Sequence, residues 1–346
     1  MNDKPRLTYA DSGVDRAAAD DAKARISELV RSTYTSGVVG DFGAFGGCFR
    51  VGAGDSETIL VASADGVGTK LKVAVMADVH DTVGYDIVAH CADDILASGA
   101  VPLFFLDYLA LGEMEPGVVA DVVSGVARAC RDSGCALLGG ETAEMPDIYA
   151  VGEYDLAGFI VGRAVHPEPL DGSGIEPGDT LLALASNGLH TNGYTLVRKI
   201  LFDVAGMTID QEVPEWGSTV AEELLRPHRS YVKSLQPLIE QRVIRGLAHI
   251  TGGGIPDNLP RMLPAGLGAR IDVASWEVPP VFQTLEDLGG VPRADMWSTF
   301  NMGVGMIAAV APDAAEDALA ALRGAGEQAW TIGAVVDGAG VVGLDE

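Results

Sequence analysis

Thr58-Ile59-Leu60-Val61-Ala62-Ser63-Ala64-Asp65-Gly66-Val67-Gly68-Thr69-Lys70 is the stretch on which the reading of this chain turns. Residues 58 to 62 are apolar or β-branched without a break, the pattern of a strand buried on both faces. That strand delivers an acid, two glycines, a hydroxyl and a lysine to its C-terminal end. Gly66 and Gly68 permit a backbone whose N–H groups converge on an anion. Asp65 offers the hard oxygens that Mg2+ prefers, and Lys70 a point charge for phosphate. Together these parts could hold a metal-bound polyphosphate. The segment is not a Walker A loop, since G-x-x-x-x-G-K-[ST] is not matched and Leu71 follows the lysine. On spacing alone, a polar turn leaving a strand stands beside that reading.

Around this stretch lie 346 residues, enough for two domains with their own cores. Lys and Arg number 23 against 49 Asp and Glu, a net charge of −26. Such a surface repels nucleic acid and anionic membranes, so neither is an expected partner. An acidic shell still leaves room for a locally basic pocket. The cysteines are Cys48, Cys91, Cys130 and Cys135, with no C-x-x-C pair, which fits reduced thiols in a cytoplasmic protein. The first ten residues lack an apolar core of the signal-peptide kind, and no 18-residue apolar run occurs.

Residues 14–34 read as a helix with apolar Ile26, Leu29 and Val30. The segment Gly40-Asp41-Phe42-Gly43-Ala44-Phe45-Gly46-Gly47 reads either as a lid over a ligand or as a surface loop pinned by its phenylalanines. A helix from Asp81 or Thr82 to Ser98 presents Ile87, Cys91 and Ile95 on one side. On the other, Asp86, His90 and Asp93 fall at i, i+4 and i+7, with Asp94 beside them. That face is either solvated or the completion of a Mg2+ site. A strand at 101–110, a helix opened by Pro116, and a short strand at 136–138 lead into Gly139-Gly140-Glu141-Thr142-Ala143-Glu144-Met145-Pro146. A strand at 155–162 follows, so the order β-α-β-α-β-β sets polar loops at strand ends.

Three prolines and three glycines between 166 and 179 mark a linker. The expected units are 1–168 and 175–346, the second an α/β domain. In the second, a strand at 180–185 leads into Ser186-Asn187-Gly188-Leu189-His190-Thr191-Asn192-Gly193. A helix carries Leu196, Val197, Ile200 and Leu201, and two more cover about 218–241. A strand at 247–250 ends in Thr251-Gly252-Gly253-Gly254 before a helix, which suits an anion. Further strands fall near 268–273, 303–310 and 329–336, with a helix near 312–323. His190 is either an acid/base group or surface decoration, and His249 reads as buried and hydrogen-bonded. Arg226, His228, Arg229 and Lys233 form either a solvated helix face or a phosphate-ester pocket.

Five motifs occur in one order: Asp65-Gly-Val-Gly-Thr-Lys70, Gly139-Gly-Glu-Thr-Ala-Glu-Met-Pro146, Leu189-His-Thr-Asn-Gly193, His249-Ile-Thr-Gly-Gly-Gly254 and Phe300-Asn-Met-Gly-Val-Gly305. With them the chain closely resembles the phosphoribosylformylglycinamidine cyclo-ligase family, from Tyr9 to Gly333. The first motif alone marks a wider superfamily; the Glu141 to Pro146 segment and Phe104-Phe-Leu-Asp-Tyr108 point to the cyclo-ligases. The resemblance implies an α/β (α+β) protein of two domains, with an N-terminal ferredoxin-like βαβ sheet that pairs across a homodimer and a C-terminal α/β domain. It implies ATP-dependent closure of formylglycinamidine ribonucleotide to aminoimidazole ribonucleotide in purine biosynthesis. ATP would phosphorylate the formyl oxygen, and a nearby nitrogen would then expel phosphate. Asp65, Asp94 and Glu141 would hold Mg2+; Gly66, Val67, Gly68, Thr69, Lys70, Gly139 and Gly140 would meet the nucleotide. His190 and Asn192 would act near the substrate, with Lys70 beside them. Family members often read Asn-Asp where this chain has Asp93-Asp94, and many carry a lysine where Ser27 stands. A kinase-like or selenophosphate-forming relative and a non-catalytic nucleotide-binding dimer are the competing readings; Cys48 precedes Phe49 instead of lysine, against the selenophosphate branch.

Overall fold

The computed structural model describes residues 7–54 and 57–344. Helix α1 (Arg16–Arg31) is N-capped by the Asp15 carboxylate, which accepts from Ala18 N, and buries none of its residues. Strands β1 (Val38–Val39), β2 (Gly47–Val51) and β3 (Thr58–Gly66) follow, then helices α2 (Lys70–Ala77) and α3 (Asp81–Ala97). Strand β4 (Ala100–Leu111), helix α4 (Pro116–Ser133) and strands β5 (Ala136–Glu144) and β6 (Tyr154–Ala164) complete the first half. Its sheet runs β1-β2-β3-β6-β4-β5, with β4 and β5 parallel and the other pairs antiparallel.

The opening stretch is a strand, but not one buried on both faces. Ile59 and Val61 are buried while Leu60 and Ala62 stay half-buried. Helices α3 and α4 cover a single side of this largely antiparallel sheet, so alternate residues face outward. The strand near 136 also runs further than expected. Gly139, Gly140 and Glu141 lie within β5, in register with Leu106, Asp107 and Tyr108 of β4. Helices α3 and α4 cross closely at two glycines: a Cβ on Gly84 would overlap the Val122 carbonyl, and one on Gly125 the Asp81 carbonyl.

The second half starts with β7 (Thr180–Ala185) and α5 (Tyr194–Arg198), which passes into a π turn over Lys199–Val204. Short strands β8 (Glu212–Val213) and β9 (Ser218–Thr219) precede helices α6 (Val220–Leu224) and α7 (Val232–Glu240). Then come β10 (Ile244–His249), α8 (Gly254–Asn258), β11 (Leu267–Ile271), α9 (Pro280–Gly289) and α10 (Arg293–Thr299). Strand β12 (Val304–Val310), helix α11 (Ala315–Gly324), and strands β13 (Ala329–Asp337) and β14 (Gly340–Val342) close the chain. The main sheet runs β10-β12-β7-β13-β11-β14.

Strand order corrects the ferredoxin-like expectation for the N-terminal half. There β6 splits β3 from β4, but β4 and β5 are adjacent and parallel, joined through α4. The β-α-β-β-α-β pattern instead belongs to the second sheet. There β12 sits between β7 and β10, and β7 between β12 and β13, all pairs antiparallel. Strands β11 and β14 extend its β13 edge. The molecule is a mixed α/β fold of two domains.

Candidate active site at the domain junction

The polar face of α3 is neither solvated nor open; the second domain covers it. Asp86 accepts from His228 N (2.6 Å) and Asp93 from Tyr231 N (2.9 Å), while Asp94 Oδ1 lies 2.9 Å from His249 Nδ1. These acids cross the junction to the segment between α6 and α7 and to the end of β10. Helical spacing puts them on one side, where backbone amides of the other domain reach Asp86 and Asp93 and an imidazole reaches Asp94, leaving Asp93 Oδ2 without a hydrogen-bond partner among the described residues. Burial drives the Asp93 carboxyl well above its usual range, against the Tyr231 amide bond.

Asp65 ends β3 with its carboxylate 42% exposed, Oδ2 lying 2.8 Å from His90 Nε2. The same His90 nitrogen is 3.9 Å from Asp94 Oδ2, which also accepts from Ser63 Oγ (3.1 Å). Two carboxylates thus converge on one imidazole nitrogen at the junction's open edge. Burial opposes charge on His90, but Asp65, then Asp94 and Asp93, outweigh it and raise the ring to about 9. Burial likewise acts to raise Asp65; the His90 hydrogen bond and charge prevail and hold it below the ordinary value.

Lys70 points elsewhere than expected. Its ammonium is fully buried 2.7 Å from Asp86 Oδ2 and donates to the carbonyls of His190 (3.1 Å) and Arg226 (2.8 Å). All three donors are used, so none faces a phosphate in this arrangement. Val67 is buried too, and its amide donates to Leu156 O (3.1 Å). Gly66 N turns onto its neighbour's Asp65 Oδ1 (2.7 Å). Gly68, with φ of 71°, is exposed, and Thr69 is half-buried with its Oγ1 2.9 Å from Thr195 Oγ1.

His190 is buried and adopts a left-handed backbone, φ 61°, uncommon for a residue with a Cβ. Its Nε2 accepts from Asn187 N (3.0 Å) and Arg229 N (3.4 Å), which places the hydrogen of the neutral ring on Nδ1. Nδ1 has no hydrogen-bond partner among the described residues. Burial first, then the charges around it, keep His190 well below its ordinary value. The ring stacks on His228 with centroids 3.9 Å apart. The side-chain oxygen of Asn192 lies against Gly252, so the His190 loop meets the glycine loop after β10.

The glycine loop opens only one turn of helix, α8, too short to act as a macrodipole anion site. Its geometry is fixed from within by Asn258, whose Nδ2 donates to the carbonyls of Gly252 (3.2 Å) and Gly254 (2.9 Å). Arg261 then links Asn258 Oδ1 (3.1 Å) to the expected lid, donating to Gly43 O (3.2 Å) and covering the Phe45 ring at 3.7 Å.

Glu141, Gly139 and Gly140 do not join this cluster within one protomer. Strand β5 stands three places from β3 in the sheet. Glu141 shares its register row with Tyr108, Ala157 and Gly66, whereas Asp65 shares the next row with Gly158 and Asp107. Successive rows face opposite sides, so Glu141 looks away from α3. His90, His228 and Asp86 carry more of the junction than their sequence context indicated. The signal available for them was the i, i+4, i+7 spacing on α3 and the basic run near 226.

The sequence matches two family profiles, "AIR synthase related protein, N-terminal domain" over residues 45–164 and "AIR synthase related protein, C-terminal domain" over 176–345. Solved structures show the same fold at low identity. A Thermus thermophilus protein superposes with a TM-score of 0.63 at 21% identity, covering 95% of this chain and 97% of its own. The thiamine monophosphate kinase of Aquifex aeolicus gives 0.62 at 16%, covering 95% and 98%. Sequence relatives are far nearer. A phosphoribosylformylglycinamidine cyclo-ligase of Trichlorobacter lovleyi is 50% identical over 96% of this chain and 95% of its own length. One from Picosynechococcus is 50% identical over 98% and 100%. The chain belongs to the phosphoribosylformylglycinamidine cyclo-ligase family.

Proposed function

We propose that the junction built on Asp65, Asp94 and His190 is where this chain carries out the ATP-dependent ring closure of its family. In that reaction formylglycinamidine ribonucleotide becomes aminoimidazole ribonucleotide, with ADP and phosphate released. The observation that carries the placement is the convergence of Asp65 and Asp94 on His90 Nε2 at an edge that solvent reaches. Hard carboxylate oxygens there fit a Mg2+ ion, and Asp65 and Asp94 would hold it; Glu141 belongs to another face. When bound, the cation would neutralise phosphate oxygens during transfer to the formyl oxygen. Gly68 and Thr69 offer backbone N–H groups beside it. Neutral His190 would turn its buried, unpartnered Nδ1 hydrogen to the substrate once the loops that cover it part, with Asn192 orienting the neighbouring loop. Lys70 acts at one remove, holding the His190 carbonyl in place. The division into units at 1–168 and 175–346 and a cytoplasmic setting complete this reading.

His190→Ala is expected to lower kcat by about 10²- to 10⁴-fold with the KM for ATP changed only a few-fold. Lost ATP affinity with normal residual turnover would reassign the residue.

The functional unit in this reading is a homodimer. Leu138, Phe159 and Tyr108, on the first sheet, are 65%, 41% and 39% exposed. Phe159 and Tyr108 lie on the face that the helices leave bare, and a second copy of the same face would bury them isologously. Phe159→Lys should shift the mass by light scattering from dimer to monomer; an unchanged dimer would move the interface elsewhere.

A further inference from the structure

We infer that Cys130 and Cys135 are a site of reversible oxidation, where hydrogen peroxide closes a disulfide across the end of helix α4. The helix stops at Gly134, whose φ of 74° lets the chain double back. Gly134 N then donates to Arg131 O (3.3 Å) and Cys135 N to Cys130 O (2.9 Å). These two bonds define a Schellman ending, in which the first and sixth residues turn their side chains toward each other and an apolar contact commonly fills the space. Here both of those side chains are thiols. With Cys135 N on Cys130 O, standard backbone dimensions keep the two Cα atoms within about 7 Å, the outer limit for a disulfide. The sulfurs themselves meet: the Cys130 S–H donates to the Cys135 sulfur.

The four cysteines differ in reactivity. Cys91 is buried and Cys48 half-buried, and burial pushes both thiols up. Cys130 is buried too, and its hydrogen bond to Cys135, then burial, keep its proton in place. Cys135 is half-buried; the Cys130 hydrogen bond holds it below its ordinary value against the effect of burial. The thiolate is the nucleophile, so attack starts at Cys135.

Its sulfur takes one oxygen of the peroxide as the O–O bond breaks, and the departing hydroxide leaves as water with the Cys135 proton. Cys130 then attacks the sulfenic sulfur of Cys135. The S–O bond breaks, and hydroxide takes the Cys130 proton to form a second water. Two electrons have passed from the sulfur pair to the peroxide, and a dithiol reductant returns them. A transient bond of this kind suits a chain whose thiols are otherwise reduced. It also lies close to the domain junction. Ser133 Oγ, in the same last turn of α4, is 3.4 Å from Ser230 Oγ. Ser230 sits between Arg229 and Tyr231, whose amides reach His190 Nε2 and Asp93.

The test exposes the reduced full chain, in buffer containing a metal chelator, to limiting hydrogen peroxide. Remaining thiols are alkylated under denaturing conditions and the chain is cut with trypsin. Cleavage after Arg128 and Arg131 separates the two cysteines, so the disulfide joins Ala129-Cys130-Arg131 to the peptide that begins at Asp132. The expected result is that linked pair, formed roughly tenfold faster than Cys48 or Cys91 is oxidised and removed by dithiothreitol. Cys130→Ala should leave Cys135 as a sulfenic acid that dimedone captures, and Cys135→Ala should leave Cys130 a thiol at the same dose. Peptide mapping of the unaltered chain decides the matter by itself if either variant folds poorly. Cys48 or Cys91 oxidised while Cys130 and Cys135 are both alkylated would overturn the inference. So would Cys135 passing to the sulfinic acid beside a Cys130 that remains a thiol.

Discussion

Asp65→Asn is expected to lower turnover by about 10²- to 10³-fold while the chain keeps its fold. The substitution conserves volume and removes one charge from the pair of carboxylates that meet at His90 Nε2. Loss of charge matters because phosphoryl transfer depends on neutralising oxygens as negative charge redistributes. The fold should survive because the carboxylate is 42% exposed and Asp94 stays beside His90 when the Asp65 charge is lost. Urea unfolding should therefore shift by less than about 1 kcal/mol. Turnover near that of the wild type would remove Asp65 from the cation site.

The second large effect falls on stability. Lys70→Met should cost about 3–5 kcal/mol in chemical denaturation, because it leaves the Asp86 carboxylate buried and uncompensated. Both side chains are fully buried, and burial pushes the Lys70 amine down and the Asp86 carboxyl up from their ordinary values. Taking each charge out of water opposes the pair's own attraction, so the intact pair contributes little net stability. Removing one partner is what costs. The double variant Lys70→Met/Asp86→Leu should accordingly recover part of the loss. A single variant as stable as the wild type would show that the pair carries no burial penalty. Turnover should fall in the double variant even where stability returns, since Lys70 also holds the carbonyls of His190 and Arg226.

The chain's periodicities located much of its architecture. Strand β3 running into Asp65, the apolar stripe of α4 and the buried strand β12 all follow from side-chain spacing. What spacing could not reveal was which faces the two domains turn toward each other. The acids of α3 look like a solvated face in sequence because charge is normally left in water. They are buried because amides of His228 and Tyr231, far along the chain, arrive to bond them. Lys70 shows the same limit: a lysine beside two glycines suggests phosphate, but its partner in this structure, Asp86, comes from the next helix. Glu141 enters the expected Mg2+ set only through the family resemblance, whereas strand register within one protomer turns it to the face opposite Asp65. His190 was legible as a loop histidine, yet the two backbone amides that fix its tautomer belong to separate segments.

The placement of the chemistry is tested most directly by a crystal structure of the full chain with Mg2+ and a non-hydrolysable ATP analogue. The account predicts the terminal phosphates and the cation against Asp65 and Asp94, with the amides of Gly68 and Thr69 beside them. A nucleotide seated instead in the cavity of about 690 Å³ lined by Trp276, Arg323 and Trp330, with both carboxylates free of ligand, would contradict it.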